Sequence, residues 1–307
     1  MRIAVVGAGA MGSIFGARFA QGGHDTVLVD VATPLVERIN ADGVSIVRGD
    51  EETTARVPAT SDPSSIDPVD AVVFFVKCYH TRPAAELARP LVRPDTVVAS
   101  LQNGWGNGDV LAEVFPPEQV VVGVTYNSGT VLDVARVAHP GVGPTTMGPY
   151  ADGSSAGAER LAQAVRDGGL EATVADPVRP EIWKKLILNA ATLPTAALTG
   201  MNAGALTAHA GMRELVTDTA REATAVAQAL GYPIDADERV AYIHGLLERA
   251  GSTKASMLQD FEAGRRTEID VINGAVVAAG DERSVPVPLN RTFVRLVQGW
   301  ESQRGLQ

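Results

Sequence analysis

Arg2-Ile-Ala-Val-Val-Gly7-Ala-Gly-Ala-Met-Gly12 is the stretch that decides the fold. Its first half is apolar without alternation, the pattern of a central parallel strand buried on both faces. Glycines then fall at positions 7, 9 and 12, and a helical pattern runs from about Ser13 to Gln21 before Gly22-Gly23 closes it. In a strand–turn–helix setting, Gly7 allows the tight turn, Gly9 lets backbone approach a pyrophosphate, and Gly12 lets the helix pack close to the strand. The segment Gly7, Ala8, Gly9, Ala10, Met11, Gly12 is therefore the expected dinucleotide-binding turn, with the N–H groups of the helix N-terminus facing the phosphates. A signal peptide is the competing reading of the apolar run, and the placement of the glycines argues against it.

Working outward, Thr26–Val29 reads as a second strand ending at Asp30, and Ala71–Val76, Thr96–Leu101 and Val120–Val124 repeat the theme. Strand, helix, strand in this order predicts an α/β fold: an N-terminal Rossmann doubly wound parallel sheet with helices on both faces. Near residue 180 the short Val-rich strands give way to long stretches of helical period, at Glu181–Ala191, Gly211–Leu230, Ala236–Arg249 and Ile269–Ala279. Asp176-Pro-Val-Arg-Pro180 is the expected hinge, since proline restricts its own φ and the residue before it. The expected division is a dinucleotide-binding domain over 1–178 and a mainly helical substrate and catalytic domain over 179–307. A chain of 307 residues is about twice an ordinary domain, which fits.

The chain carries a formal net charge of −10, which speaks against nucleic acid or an anionic membrane surface as a partner. Cys78 is the one cysteine, so no intrachain disulfide forms and a reduced, cytoplasmic setting fits. Its five histidines are scattered, and His80 and His139 read as structural or solvated, so no metal site is expected. No run reaches the ~20 apolar residues of a membrane-spanning helix. Helical second domains of this kind often pair, which allows a homodimer without fixing one.

Asp30, eighteen residues after Gly12, stands where an acidic side chain accepts the ribose 2′-hydroxyl of NAD. It would repel the 2′-phosphate of NADP, and no basic residue follows before Arg38. NAD(P)H is the expected cofactor, with NADH favoured over NADPH, and a solvated aspartate at a strand end is the alternative. Lys77 and Asn103 each follow an apolar strand, at the edge where ligands bind in open α/β sheets. Taken singly, a lysine there is often a solvated end, and Asn before Gly is a turn signal. Lys185 and Asn189 are four apart and share a helical face. A partly buried lysine can give a proton to a carbonyl oxygen while hydride arrives at carbon, and an amide one turn on can hold the same molecule. The alternative is a wet Lys/Asn face. Glu268, likewise, could be a helix-start carboxylate favoured by the dipole.

Taken together, these segments resemble the ketopantoate reductase family over nearly the whole chain. The carriers are GAGAMG at 7–12, VKCYHT at 76–81, LQNG at 101–104, the Lys185/Asn189 pair, SMLQD at 256–260 and TEIDVING at 267–274. The resemblance implies that Lys185 is the general acid and that Glu268 is the carboxylate holding substrate and orienting the lysine. It implies that Asn189 and Ser256 bind substrate, that Asn103 binds substrate beside the cofactor, and that Lys77 contacts the cofactor. Two departures stand out. Family members usually take NADPH through a basic residue just past the second strand, where this chain has Asp30-Val31-Ala32. The family pattern also places a second asparagine where this chain has Leu193.

The expected activity is reduction of a small 2-oxo acid to the D-2-hydroxy acid, with 2-dehydropantoate (ketopantoate) to D-pantoate, in pantothenate synthesis, as the first reading. An NAD-dependent dehydrogenase of D-mandelate type, acting on branched or aromatic 2-oxo acids, is the second, and Asp30 and Leu193 favour it. A β-hydroxyacid dehydrogenase lacks support because its glycine-rich substrate loop is missing around Thr125–Gly129. A non-catalytic dinucleotide sensor would need the glycines but neither Lys185 nor Glu268.

Overall fold

A computed structural model describes residues 1–306, which form two compact units. The first comprises Met1–Gln102 and Asn107–Glu181, and the second comprises Asn103–Gly106 and the described chain from Ile182 onward. The short excursion at 103–106 is the one place where a piece of the N-terminal half belongs to the helical unit.

The first unit holds twelve strands. They are β1 (Arg2–Val6), β2 (Asp25–Val29), β3 (Val44–Arg48), β4 (Glu51–Ala55), β5 (Ala59–Thr60), β6 (Ala71–Phe74), β7 (Val97–Ser100), β8 (Val120–Thr125), β9 (Ser128–Asp133), β10 (Arg136–Gly141), β11 (Thr145–Pro149) and β12 (Ala172–Val174). Eight make one sheet in the order β12-β11-β8-β7-β6-β1-β2-β5. From β5 across to β8 every pairing is parallel, while β11 joins β8 antiparallel. The central strands are apolar because they are covered on both faces: β6, β7 and β8 are buried throughout. A smaller sheet, β4-β3-β10-β9, lies outside what the sequence pattern predicts. Its outer strands alternate weakly and lie largely exposed, so periodicity carries little signal there.

The helix after β1 spans Ala10–Gln21 and buries Ile14, Phe15, Ala17 and Phe19 in the core shared with Ile3, Val5 and Leu28. It starts earlier than the expected Ser13, because Gly9 is its N-cap.

The second unit consists of helices Arg179–Thr199 (whose first turn lies in the first unit), Ala203–Ala208, Ala210–Ala229, Ala236–Ala250, Ser256–Glu262, Asn273–Arg283 and Pro288–Gln303. Asn202, His209 and Asp235 cap three of them by accepting backbone N–H bonds. Where one helix was expected over Ile269–Ala279, a single 3₁₀ turn, Ile269–Val271, precedes a fresh start at Asn273. Ile272 breaks the run at φ −104°, ψ −90°. Among the described residues no helix is long and apolar enough to cross a membrane.

Candidate functional site

The order of parallel strands reverses at β1, with β2 on one side and β6 on the other. Such a switch point is where open α/β sheets bind ligands. The glycine turn lies there: Gly7 N–H donates to Val29 O at 2.8 Å, and Phe75 N–H donates to Val6 O at 2.8 Å. Gly7 sits at φ +95°, and a Cβ on it would lie 2.8 Å from Val76 N. A Cβ on Gly12 would stand 1.8 Å from Gly7 O, so only glycine lets the helix start this close to the turn. Gly9 is different: a Cβ there would meet nothing within 4 Å, so the backbone faces open space. The helix it caps has no side-chain cap and no acidic residue in its first turn. That combination fits a pyrophosphate, which needs bare backbone, free helix-start amides and no competing carboxylate.

Asp30 is held more firmly than its strand-end position suggested. Ala8 N–H donates to its Oδ2 at 2.7 Å and Ala32 N–H to its Oδ1 at 3.0 Å. The carboxylate is thereby oriented by the glycine turn itself, and each oxygen keeps an acceptor position. The next residue, Val31, is 76% exposed and offers no charge. Arg38, the first basic residue beyond, is paired with Asp42 at 2.8 Å.

Lys77 begins the 3₁₀ turn Cys78–His80 just past β6. Gln102, part of the LQNG segment but given no role by the sequence reading, ties this loop to the end of β7. Its Nε2 donates to Val76 O at 2.7 Å and to Thr81 Oγ1 at 2.8 Å, while Ser100 Oγ donates to its Oε1 at 2.9 Å. In sequence, an amide after an apolar strand is only a turn signal, and what it ties is visible only once β6 and β7 are paired.

In the second unit Lys185 and Asn103 meet, although 82 residues separate them: Nζ donates to Asn103 Oδ1 at 2.8 Å. Burial pushes the Lys185 ammonium down to about 8, with the charge of Glu268 pulling the other way. Glu268 is buried, and the backbone beside it is fixed, because Thr267 N–H donates to the buried Glu301 carboxylate at 2.7 Å. Asn189 lies one turn along the same helix, also buried. Ser256 opens the helix Ser256–Glu262 and is exposed. Of the expected residues, Lys185, Asn103 and Glu268 are thus brought together, Asn189 is placed next to them along the helix, and Ser256 makes no hydrogen bond among the described residues.

The helix carrying Lys185 runs through Pro194. Proline has no N–H to give Ala190 O, its partner four residues back. Asn273 supplies the missing donor, with Nδ2 at 2.9 Å from Ala190 O and 3.1 Å from Asn290 Oδ1. Asn290 in turn donates to Glu222 Oε2 at 2.9 Å. This buried chain of amides explains why a new helix starts at Asn273. Leu193, where the family pattern has an amide, is buried.

The chain matches the family description "Ketopantoate reductase PanE/ApbA" over residues 3–152 and its C-terminal counterpart over 177–301. It is 33% identical over 301 residues to a 2-dehydropantoate 2-reductase of Halobacterium salinarum, covering 97% of this chain and 98% of that one. Among solved structures it is similar to a D-mandelate dehydrogenase bound to NADH and anilino(oxo)acetate, with TM-score 0.94, 28% identity and coverage of 99% and 100%. It is also similar to a 2-dehydropantoate 2-reductase of Geobacter metallireducens, with TM-score 0.92, 29% identity and coverage of 97% and 99%. A glycine turn at the switch point, a half-buried lysine held by an amide, and matches along nearly the full length agree: the chain belongs to the ketopantoate reductase family.

Proposed function

We propose that this protein reduces 2-dehydropantoate to D-pantoate with a nicotinamide dinucleotide, residues 1–178 holding the dinucleotide and residues 179–307, with Asn103, carrying the proton-transfer and substrate groups. The observation that carries the reading is the half-buried Lys185 ammonium on Asn103 Oδ1, with Glu268 close enough to act on its charge. When bound, the dinucleotide supplies hydride to the substrate C2. Lys185 gives its proton to the C2 oxygen, so the carbonyl becomes a hydroxyl and the lysine is left neutral. A value of about 8 makes the transfer easier than from an ordinary lysine, while leaving the proton in place near neutral pH. Glu268 keeps the ammonium charged against its burial, and Asn103 fixes its direction. Asn189 and Ser256 would bind the substrate's hydroxyl and carboxylate, and Lys77 the cofactor. The single Cys78 suits a cytoplasmic setting.

NADH is the preferred coenzyme in this reading. Asp30 already holds two backbone N–H groups and has acceptor positions left for a ribose hydroxyl. A 2′-phosphate would meet that carboxylate with no cation beside it.

A second reading has its own support. Leu193 takes an amide's place, and a D-mandelate dehydrogenase with NADH is among the similar structures. Both point to an apolar 2-oxo acid. Steady-state reduction of ketopantoate, 2-oxoisovalerate and phenylglyoxylate, each with NADH and NADPH, separates the two. Selectivity for ketopantoate supports the first reading, and faster turnover of the hydroxyl-free acids replaces it with the second.

A further inference from the structure

Four residues, Asn103–Gly106, belong to the helical unit although the chain on either side of them does not. Something must hold them there, and the backbone contacts of Gly104 and Trp105 converge on one atom, Val271 O. Trp105 N–H donates to Val271 O at 2.8 Å. Gly104, at φ +86°, lies so close to the same residue that a Cβ would stand 2.6 Å from Val271 O and 2.5 Å from Val271 Cγ2. The Trp105 ring rests on Trp183, centroids 5.7 Å apart. Val271 closes the 3₁₀ turn whose N-cap is Glu268, and Trp183 is two residues before Lys185. The fixture that grips the strap is therefore built from the neighbours of both charged groups.

We propose that Gly104 is a positioning residue: by letting the strap seat against Val271 O, it holds Asn103 Oδ1 on Lys185 Nζ. A side chain at 104 has nowhere to go. Backbone oxygen blocks it, and the left-handed φ penalises it independently. The strap would lift, and the 2.8 Å bond from the lysine to the neighbouring Asn103 would break first. An acceptor oxygen at that distance favours the ammonium, while the cover it comes with disfavours it, so breaking the bond and lifting the strap move the Lys185 midpoint just as removing the Asn103 amide does. Glu268 is the charged group that acts on Lys185, and it remains in the variant.

The inference rests on the reading of Lys185 as the acid for its catalytic consequence, but its test reads the amine directly. The chain has four lysines (Lys77, Lys184, Lys185 and Lys254), so ¹³Cε-lysine labelling gives four signals, and Lys185→Arg identifies one. The Lys185 midpoint is measured in the unliganded protein, wild type, Asn103→Ala, Gly104→Ala and the double variant. We expect Gly104→Ala to move the midpoint from about 8 in the same direction and by as much as Asn103→Ala does, and the double variant to move it no further. Turnover in Gly104→Ala should fall on the order of tenfold to a hundredfold, as misplacement of a reacting group does. A midpoint unchanged in Gly104→Ala, shifted in the opposite direction to that of Asn103→Ala, or shifted additively in the double variant overturns the proposal. Should Gly104→Ala fail to fold, Val271→Ala loosens the same seat without strain at φ, and a smaller shift in the direction of Asn103→Ala is expected. An unshifted midpoint there overturns the proposal equally. Turnover of Lys185→Ala is the separate check on the acid: near-normal turnover defeats that reading while the titration still decides the positioning.

Discussion

Lys185 and Asn189 are legible as a pair because four-residue spacing is a local property of any helix. That the lysine bonds Asn103 is not, since nothing local joins positions 82 residues apart. With Lys185 as proton donor, Lys185→Ala should lower turnover by roughly 10²–10⁴-fold. Dinucleotide affinity, measured by fluorescence titration, should stay unchanged, because the glycine turn lies in the other unit. The donor must carry its proton, so kcat/KM for reduction should fall as pH rises through about 8, and the reverse oxidation should gain over the same range. A flat profile to pH 10 would remove Lys185 from the proton transfer. His139 makes a prediction of a different kind. It is fully buried, its Nε2 lies 3.1 Å from Asn127 Oδ1, and Nδ1 has no partner among the described residues. The amide's Nδ2 already donates to Thr125 Oγ1 and Gly143 O, so the histidine is the donor to Oδ1. Burial, aided by the charges of Arg18 and Arg48, pushes it down to about 4 from an ordinary 6.5. The unfolded chain thus takes up a proton that the fold refuses. Its contribution to stability is full above pH 6.5 and is lost as pH falls toward 4, by roughly 3 kcal/mol in all. Urea unfolding at pH 7.5 and pH 5 should show that part of the slope vanish in His139→Gln.

At the scale of elements, the helix Arg179–Thr199 shows how a sequence rule gives way to packing. Proline inside a helix costs about 3 kcal/mol in isolation. Here the freed Ala190 carbonyl is met by Asn273, and the helix continues to Thr199. Asn273→Ala should therefore cost about 1–3 kcal/mol, because it leaves a buried carbonyl without a donor. Adding Pro194→Ala should recover part of that loss, since the new N–H can bond Ala190 O within the helix. A double variant less stable than Asn273→Ala alone in thermal melts would mean that proline holds the helix for another reason. The apolar pattern over 269–279 keeps a helical period throughout, and only the Asn273-Gly274 turn signal stands beside the break at Ile272. The break follows from demands made elsewhere, by Trp105 on Val271 O and by Ala190 O on Asn273.

For the molecule as a whole, dinucleotide binding can be read as stability. A ligand that binds only the folded chain adds about 2.7 kcal/mol at a hundredfold excess over its Kd. NADH should raise the melting temperature more than NADPH at equal concentration, and Asp30→Ser should narrow the gap. Equal shifts in the wild type would show that Asp30 serves only to bind the amides of Ala8 and Ala32. The glycine turn, the buried parallel strands and the change to helical period were settled by the sequence alone. Each is set by sterics and periodicity within a dozen residues, where backbone geometry leaves few choices. The small second sheet, the strap at 103–106, the relay from Ala190 to Glu222 and the meeting of Asn103, Lys185 and Glu268 were decided by tertiary structure. These join groups far apart in the chain, and only the packing of whole elements determines which buried donors and acceptors can satisfy one another.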